Sequence, residues 1–477
     1  MDMEGSTMQD PKILFPADGA RVRALAAKLY ETVKDLPIIS PHGHTDPRWF
    51  AENKPFPNPT ALFVQPDHYI FRMLYSQGIS LESLGIPQSG IYADPHATAD
   101  PRAAWRIFAD NYFLFRGTPT RVWLDYTFAH VFGLTERLSA KNADAVYDLI
   151  AEKLTQAEFL PRALFERFNI EVIATTDAAI DSLEDHRAIK ASGWNGRVLP
   201  TFRPDAVIDA EYAAFEDNLR LLGEVTGEDV STWKGYLNAL RARRQFFIAN
   251  GATATDHGHL TALTADLSHS AASELYSRIY SGKTHHGDIE LFQAQMLTEM
   301  AGMSIEDGLT MQLHPGSVRN HNKAVYERFG RDKGADIPSP TEYVRGLRPL
   351  LSKYGNDPRL TLILFTLDET TYSRELAPLA GHYPALKLGP PWWFHDSPEG
   401  MMRFREQATE TAGFYNTVGF NDDTRAFLSI PARHDVARRV DSVFLARLVA
   451  EHRIDEEEAV EVLRELTVGL VRKAYKL

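Results

Sequence analysis

Residues 36–46 read LPIISPHGHTD: a short apolar run, then two histidines one residue apart, then an aspartate two residues further on. Alternate side chains of an extended strand point to the same side, so His42 and His44 can face one way and grip one ion. Asp46 lies in the following loop and precedes a proline, and reads as a turn residue. Taken alone, the pattern fits a polar turn as well as a metal site. The choice depends on what the rest of the chain builds around it.

Seven further apolar runs of strand length follow, each ending in polar residues. They are IEVIATTD (170–177), GRVLPTFRPD (196–205), NGATATDHG (250–258), GLTMQLHPG (308–316), RLTLILFTLD (359–368), ALKLGPPWW (385–393) and NTVGFNDDTR (416–425). They are nearly continuous rather than alternating, as parallel strands buried on both faces require. Helical patterns lie between them. DAVYDLIAEKL (144–154) places Val146, Leu149, Ile150 and Leu154 on one face. SPTEYVRGLRPLLSKY carries Ser339 and Glu342 at capping-box spacing. Further helices are predicted in EYAAFEDNLRLLGEV, WKGYLNALRARRQFF and DSPEGMMRFREQATETAG, and over 433–475. Strand and helix in alternation predict an α/β fold, a (β/α)8 TIM barrel with right-handed crossovers. A doubly wound open sheet is the rival, but no Gly-rich dinucleotide fingerprint supports it. Residues 45–165, rich in Trp, Tyr, Phe and Pro, are expected to form a helical insertion over the barrel mouth. The whole chain, 1–477, is then one domain with a helical C-terminus.

Composition narrows the chemistry. The chain has 477 residues, 44 % apolar and 24 % charged, as in an ordinary globular enzyme. It has no cysteine, which excludes disulfides, thiolate ligands and a cysteine nucleophile. A metal must therefore be held by His, Asp or Glu, which suits zinc or manganese. The net charge of −13 and the lack of a dense basic cluster argue against nucleic acid. No run reaches membrane-span length, and the first residues lack the pattern of a secretory signal; a cytoplasmic location is the expectation. An anionic substrate would need a local arginine cluster.

Such barrels carry their chemistry at the C-terminal strand ends. Those ends offer His42 and His44, Thr176 and Asp177, Arg203, Asp256 and His257, His314, Asp368, Lys387 with Trp392 and Trp393, and Asp423 with Arg425. In a closed barrel the first and eighth strands are neighbours, so His42, His44 and Asp423 would meet. The fourth end has no lysine and the sixth no histidine, so one metal is expected rather than two. His314 is an additional ligand or a polar contact beside the site.

Six stretches together resemble the uronate isomerase family of the amidohydrolase superfamily: the HxH, DHYIFR (67–72), FRPD (202–205), MQLHPG (311–316), GPPWWF (389–394) and DDTRAFLSIPARHDVARR (422–439). The resemblance runs in order from about residue 30 to the C-terminus. It implies interconversion of D-glucuronate with D-fructuronate and of D-galacturonate with D-tagaturonate, by a homo-oligomer, at one divalent metal, zinc with manganese as the alternative. It implies His42, His44 and Asp423 as metal ligands. It assigns His68 and Tyr69 as a pair reaching the substrate, Arg203 and Arg425 as substrate contacts, and Trp393 as a substrate-lining residue. Ser40 and Gly43 stand where the family commonly has aspartate and cysteine, and DDTR stands for TDSR. Asp423 is preferred to Asp422 as ligand because it keeps the spacing to Arg425.

The chemistry suits these residues. An aldose–ketose shift moves a proton between C2 and C1 through an enediol. Arginine forks suit the substrate carboxylate, and Tyr69 and Asp423 are the candidates for proton transfer. Tyr69 would need its pKa lowered from about 10 to act as a base. Asp256, His257 and Asp368 are left as supporting groups. Two other readings use the same residues: a metal-dependent amide or ester hydrolase, and a uronate-binding protein without turnover.

Overall fold

Pro37 and Pro41 bracket the first strand, Ile38–Ser40, and confine it to three residues. In this computed structural model, residues 13–16, 19–93, 100–212 and 214–477 are described. Residues 1–12, part of the stretch read for a secretory signal, lie outside them.

Among the described residues six more parallel strands follow the first, with a separate short antiparallel pair at Ser317–Val318 and Ile337–Pro338. The second, Ile170–Ala174, resumes at Asp177–Ala178; the third, Arg197–Leu199, resumes at Phe202–Arg203. The fourth to seventh are Ala254–His257, Thr310–Leu313, Leu362–Leu364 and Leu386–Leu388. Each is parallel to the next: Ile39 faces Val172, Val172 faces Arg197, Phe202 faces Thr255, Thr255 faces Met311, Met311 faces Leu362 and Leu362 faces Leu386. Hydrogen bonds from Thr175 N to Leu199 O and Asp177 N to Thr201 O carry the second and third strands across their breaks.

The eighth run does not become a strand. It makes one parallel bridge, Thr417 to Leu388. Gly419 at φ 80 and Asp423 at φ 37 turn the backbone out of the extended region and end it. Beyond that turn, His44 N–H donates to Thr424 O at 3.1 Å, so this last segment touches the seventh strand on one side and the first on the other.

The helices largely follow the sequence. Ala143–Leu154 buries Val146, Ile150 and Leu154, whereas Leu149 is exposed, off the packed face. Phe215–Thr226, Trp233–Ala249 and Pro398–Ala412 form as expected. The capping box at Ser339 and Glu342 does not: the helix starts only at Arg348. Glu342 instead accepts from the N–H groups of Arg345 and Gly346, closing a turn, and Ser339 bonds to Gly316 O. The C-terminal helix begins at Ile430 and runs to Ala450, with shorter helices at Glu456–Arg464 and Leu470–Tyr475.

Three apolar layers result. Ile39, Val172, Ala254, Ile363, Phe365 and Val418 cluster with Val468, Val471, Ala474 and Tyr475, so the end of the chain packs against one face of the strands. Tyr475 donates to Gln312 Oε1 at 2.9 Å there. Phe202, Met311, Leu313, Leu362 and Leu386 face the opposite way, toward helices. Helices between Pro47 and Arg167 share a third cluster with Ile38, Ile170, Phe427 and Ile430. Among the described residues no helix is long and apolar enough to cross a membrane.

Candidate active site

The strand ends open into a cavity of about 1170 Å³, lined by His42, His44, Asp423 and residues of the helical segment, His68 and Tyr69 among them. His42 follows the first strand by two residues and is 1 % exposed. Asp423 enters from the far end of the sequence on its left-handed backbone, a conformation a non-glycine residue adopts when its surroundings hold it there. Its Oδ1 lies 3.5 Å from His42 Nε2 and 3.2 Å from His44 Nε2. That oxygen is buried and has no hydrogen-bond partner. Burial alone would push the Asp423 carboxyl up, but His42 and His44 hold it well below the usual carboxylate range. Burial lowers His44, favouring the neutral imidazole a metal requires. Two imidazoles and a carboxylate with converging free atoms fit a three-ligand metal site that keeps a position open for substrate.

His42, Asp256 and His314 also bring donor atoms close together. They are a poorer set. The His42 and His314 rings stack at 4.5 Å and 20°, so their in-plane lone pairs run side by side instead of converging. His314 Nδ1 is already 2.6 Å from Asp256 Oδ1, and Arg203 Nη1 lies 3.1 Å from Asp256 Oδ2. On its other face His314 stacks on Phe365 at 3.9 Å. It buttresses His42.

Arg203 is bound on two sides, by Asp205 Oδ2 at 2.7 Å as well as by Asp256. Burial would lower its pKa, but these two carboxylates raise it, so it stays charged. Its charge serves Asp256 and Asp205. Arg425 is freer: among the described residues it has one ion pair, to Asp332 at 3.5 Å, and both side chains are partly open to solvent.

Asp67 caps the helix His68–Tyr75, its carboxylate accepting from Tyr69 N–H, and this sets His68 and Tyr69 at the helix start. Burial, with help from the Arg425 charge, pushes His68 down to about 3. The Tyr69 hydroxyl donates to Asp396 Oδ1 at 2.8 Å and accepts from Phe394 N–H at 2.9 Å. Burial and then the Asp396 charge raise its pKa well above 10. As placed, Tyr69 is a neutral phenol tying its helix to the Trp392–Trp393 loop. Trp393 lines the cavity beside His68, with ring centroids 6.3 Å apart.

Other strand-end residues lie apart. Asp46 caps Pro47–Glu52 by accepting from Arg48 N–H, the turn role expected of it. Lys387 reaches Asn416 Oδ1 at 2.8 Å, away from the cavity. Asp368 accepts from Thr370 N–H and Thr341 N–H, and His257 lies against Thr255; neither lines the cavity. Burial raises Asp177 to about 7, and it is held by Thr175 and Thr201. Sequence reasoning missed Asp396, Asp205 and Arg433. Arg433 stands inside the stretch 422–439 and Asp205 ends FRPD, so proximity to a motif was the available signal; Asp396, two residues past GPPWWF, gave none.

The family described as glucuronate isomerase matches residues 20–472. A uronate isomerase of Rhizorhabdus wittichii is 62 % identical over 467 residues, covering 98 % of both chains. One of Xanthomonas axonopodis pv. citri is 63 % identical over 467 residues, again covering 98 % of both. The crystal structure of glucuronate isomerase from Caulobacter crescentus superposes with a TM-score of 0.95 at 62 % identity, over 98 % of this chain and 96 % of that one. That of uronate isomerase from Thermotoga maritima gives 0.88 at 28 %, over 95 % and 97 %. With a match of this extent and identity over nearly its whole length, the chain belongs to the uronate isomerase family.

Proposed function

We propose that this protein interconverts hexuronates, aldose with ketose, at one divalent metal held by His42, His44 and Asp423 at the mouth of a closed (β/α)8 barrel. The observation that carries the reading is the buried, unpartnered Asp423 Oδ1 set 3.2 and 3.5 Å from two imidazole nitrogens of the first strand's end. Closure is supported by the strand order and by the bond from His44 N–H to Thr424 O. The helical segment 45–165 acts as an insertion covering the mouth, part of a single domain, since its apolar side chains share a cluster with the strands. D-glucuronate and D-galacturonate are the substrates, with D-fructuronate and D-tagaturonate as products.

Zinc or manganese, when bound, would polarise and orient substrate oxygens. The remaining work falls to side chains. Arg425 presents a guanidinium at the cavity to the substrate carboxylate. Arg203 holds Asp256, which fixes the His314 ring against His42. Asp423, which lines the cavity, accepts a hydroxyl proton as the sugar ring opens. His68, kept neutral, lines the cavity, where its imidazole offers a hydrogen bond to the substrate. Tyr69 donates one hydrogen bond, accepts another and holds the loop that carries Trp393 against the sugar's apolar face.

The test is incubation of the metal-analysed protein with a panel of uronates. A ketose product from D-glucuronate or D-galacturonate is expected. Absence of product from every uronate contradicts the reading, and amide or ester hydrolysis would replace it.

A further inference from the structure

We propose that Arg433 is a positioning residue that fixes Tyr69 and Asp423 relative to one another; this rests on the function proposed above. Arg433 is 3 % exposed. Its Nη1 donates to Asp396 Oδ2 at 2.9 Å and to the backbone oxygen of Asp422 at 3.3 Å. Its Nε donates to Ser429 Oγ at 3.1 Å. Its plane lies over the Trp123 ring, 3.6 Å from the centroid. These contacts join three parts of the chain: the loop after the seventh strand at Asp396, Arg433's own stretch at Asp422 and Ser429, and the helical segment at Trp123.

Asp396 passes the constraint on. One oxygen takes Arg433, and the other takes the Tyr69 hydroxyl. Tyr69 in turn accepts from the N–H of Phe394, which sits at φ 71. On the other side, the hold on Asp422 O acts on the peptide next to Asp423, whose φ of 37 places its carboxylate toward His42 and His44. A planar fork meets the Asp396 carboxylate and the Asp422 carbonyl from one nitrogen while its face stays stacked. A lysine ammonium has no second nitrogen to meet Ser429 as Nε does, and no plane to stack on Trp123.

The experiment compares Arg433→Lys, Arg433→Ala and Asp396→Asn with the unaltered full-length protein, on whichever uronate the latter converts. Metal content, thermal stability, kcat and KM are read together. The lysine variant is expected to keep its metal and its unfolding temperature while kcat falls about 10–100-fold, the usual cost of losing a partner that orients a ligand. Asp396→Asn should lower kcat in the same range. Added guanidinium should restore part of the kcat of Arg433→Ala, as filling a vacated guanidinium site requires. Should the alanine variant fail to fold, the lysine variant decides. Unchanged kcat in the lysine variant overturns the proposal, as does a loss that merely follows metal content or unfolding temperature. If the unaltered protein converts no uronate, the functional reading fails first, and this one with it.

Discussion

Asp422 and Asp423 are adjacent carboxylates, the first buried and the second half-buried, and each faces histidine, yet their surroundings differ. Asp422 Oδ2 is 3.0 Å from His434 Nε2, a partner twelve residues later in the same stretch of motif, on the C-terminal helix. Asp423 reaches across the fold to His42 and His44. Asp422 meets one imidazole in a hydrogen bond. Asp423 has two imidazole nitrogens nearby and no hydrogen bond to its buried Oδ1. Asp422 also leaves one oxygen without a partner, but its other oxygen is bonded to a nearby histidine, which suits anchoring a loop; Asp423 Oδ1 stands between two imidazoles from the far end of the chain, the arrangement proposed to hold an ion. The left-handed backbone at Asp423 is what separates the two, because it turns successive side chains apart.

The largest effect that would break this contrast comes from Asp423→Ala. A bound metal contributes several kcal/mol of charge stabilisation, so turnover should fall by on the order of 10³-fold or more, with metal lost and the fold intact by circular dichroism. Full activity in this variant would move the site elsewhere. Asp422→Asn and His434→Ala should fall lower on the scale. The alanine variant leaves Asp422 buried without its partner, at a cost of about 3–5 kcal/mol in denaturant unfolding. Metal affinity should weaken by about 10–100-fold, not vanish. Equal metal loss from the two carboxylate variants would erase the distinction.

Acidification sharpens it from the side of structural histidines. Burial holds His257 and His68 down near 3 and His186 near 4. The unfolded chain takes up these protons below about 6.5 while the folded chain resists until 3 to 4, so stability is full above 6.5 and is lost as pH falls through that window. Asp177, raised to about 7, acts oppositely: its contribution is present below about 3.8 and is lost as pH rises through 7. Three groups against one predict net acid destabilisation on the order of a few kcal/mol between pH 6.5 and 4, read by denaturant titration at each pH. A flat profile would show these imidazoles to be less buried than described. The smallest effect belongs to Gly43→Ala: a Cβ there would meet Asp422 Oδ1 at 3.5 Å and Thr424 O at 3.6 Å, ordinary contacts. Metal content and kcat should stay within about twofold, a change worth less than 1 kcal/mol.

The parts of this arrangement legible in the sequence were those carried by local pattern. Seven of eight strands announced themselves as apolar runs ending in polar residues. The meeting of His42, His44 and Asp423 was legible too, once the first and last runs were taken as neighbours. The eighth strand failed because its interruption depends on backbone angles at Gly419 and Asp423, which no periodicity encodes. Ser339 and Glu342 had the right spacing for a cap, but Gly316 and the turn at Arg345 competed for their side chains. Arg203 illustrates the harder limit: its strand-end position told nothing of the ion pairs with Asp205 and Asp256 that fix it at the cavity wall. Asp396 became visible only when the fold brought Tyr69 and Arg433 to either side of it.

The most direct test of the central claim is an anomalous difference map from a crystal of the metal-loaded protein, collected at the metal's absorption edge. One peak per chain is expected, within about 2.0–2.2 Å of His42 Nε2, His44 Nε2 and an Asp423 oxygen. A peak between His314 and Asp256, or no peak in crystals of protein that still converts uronates, would contradict it.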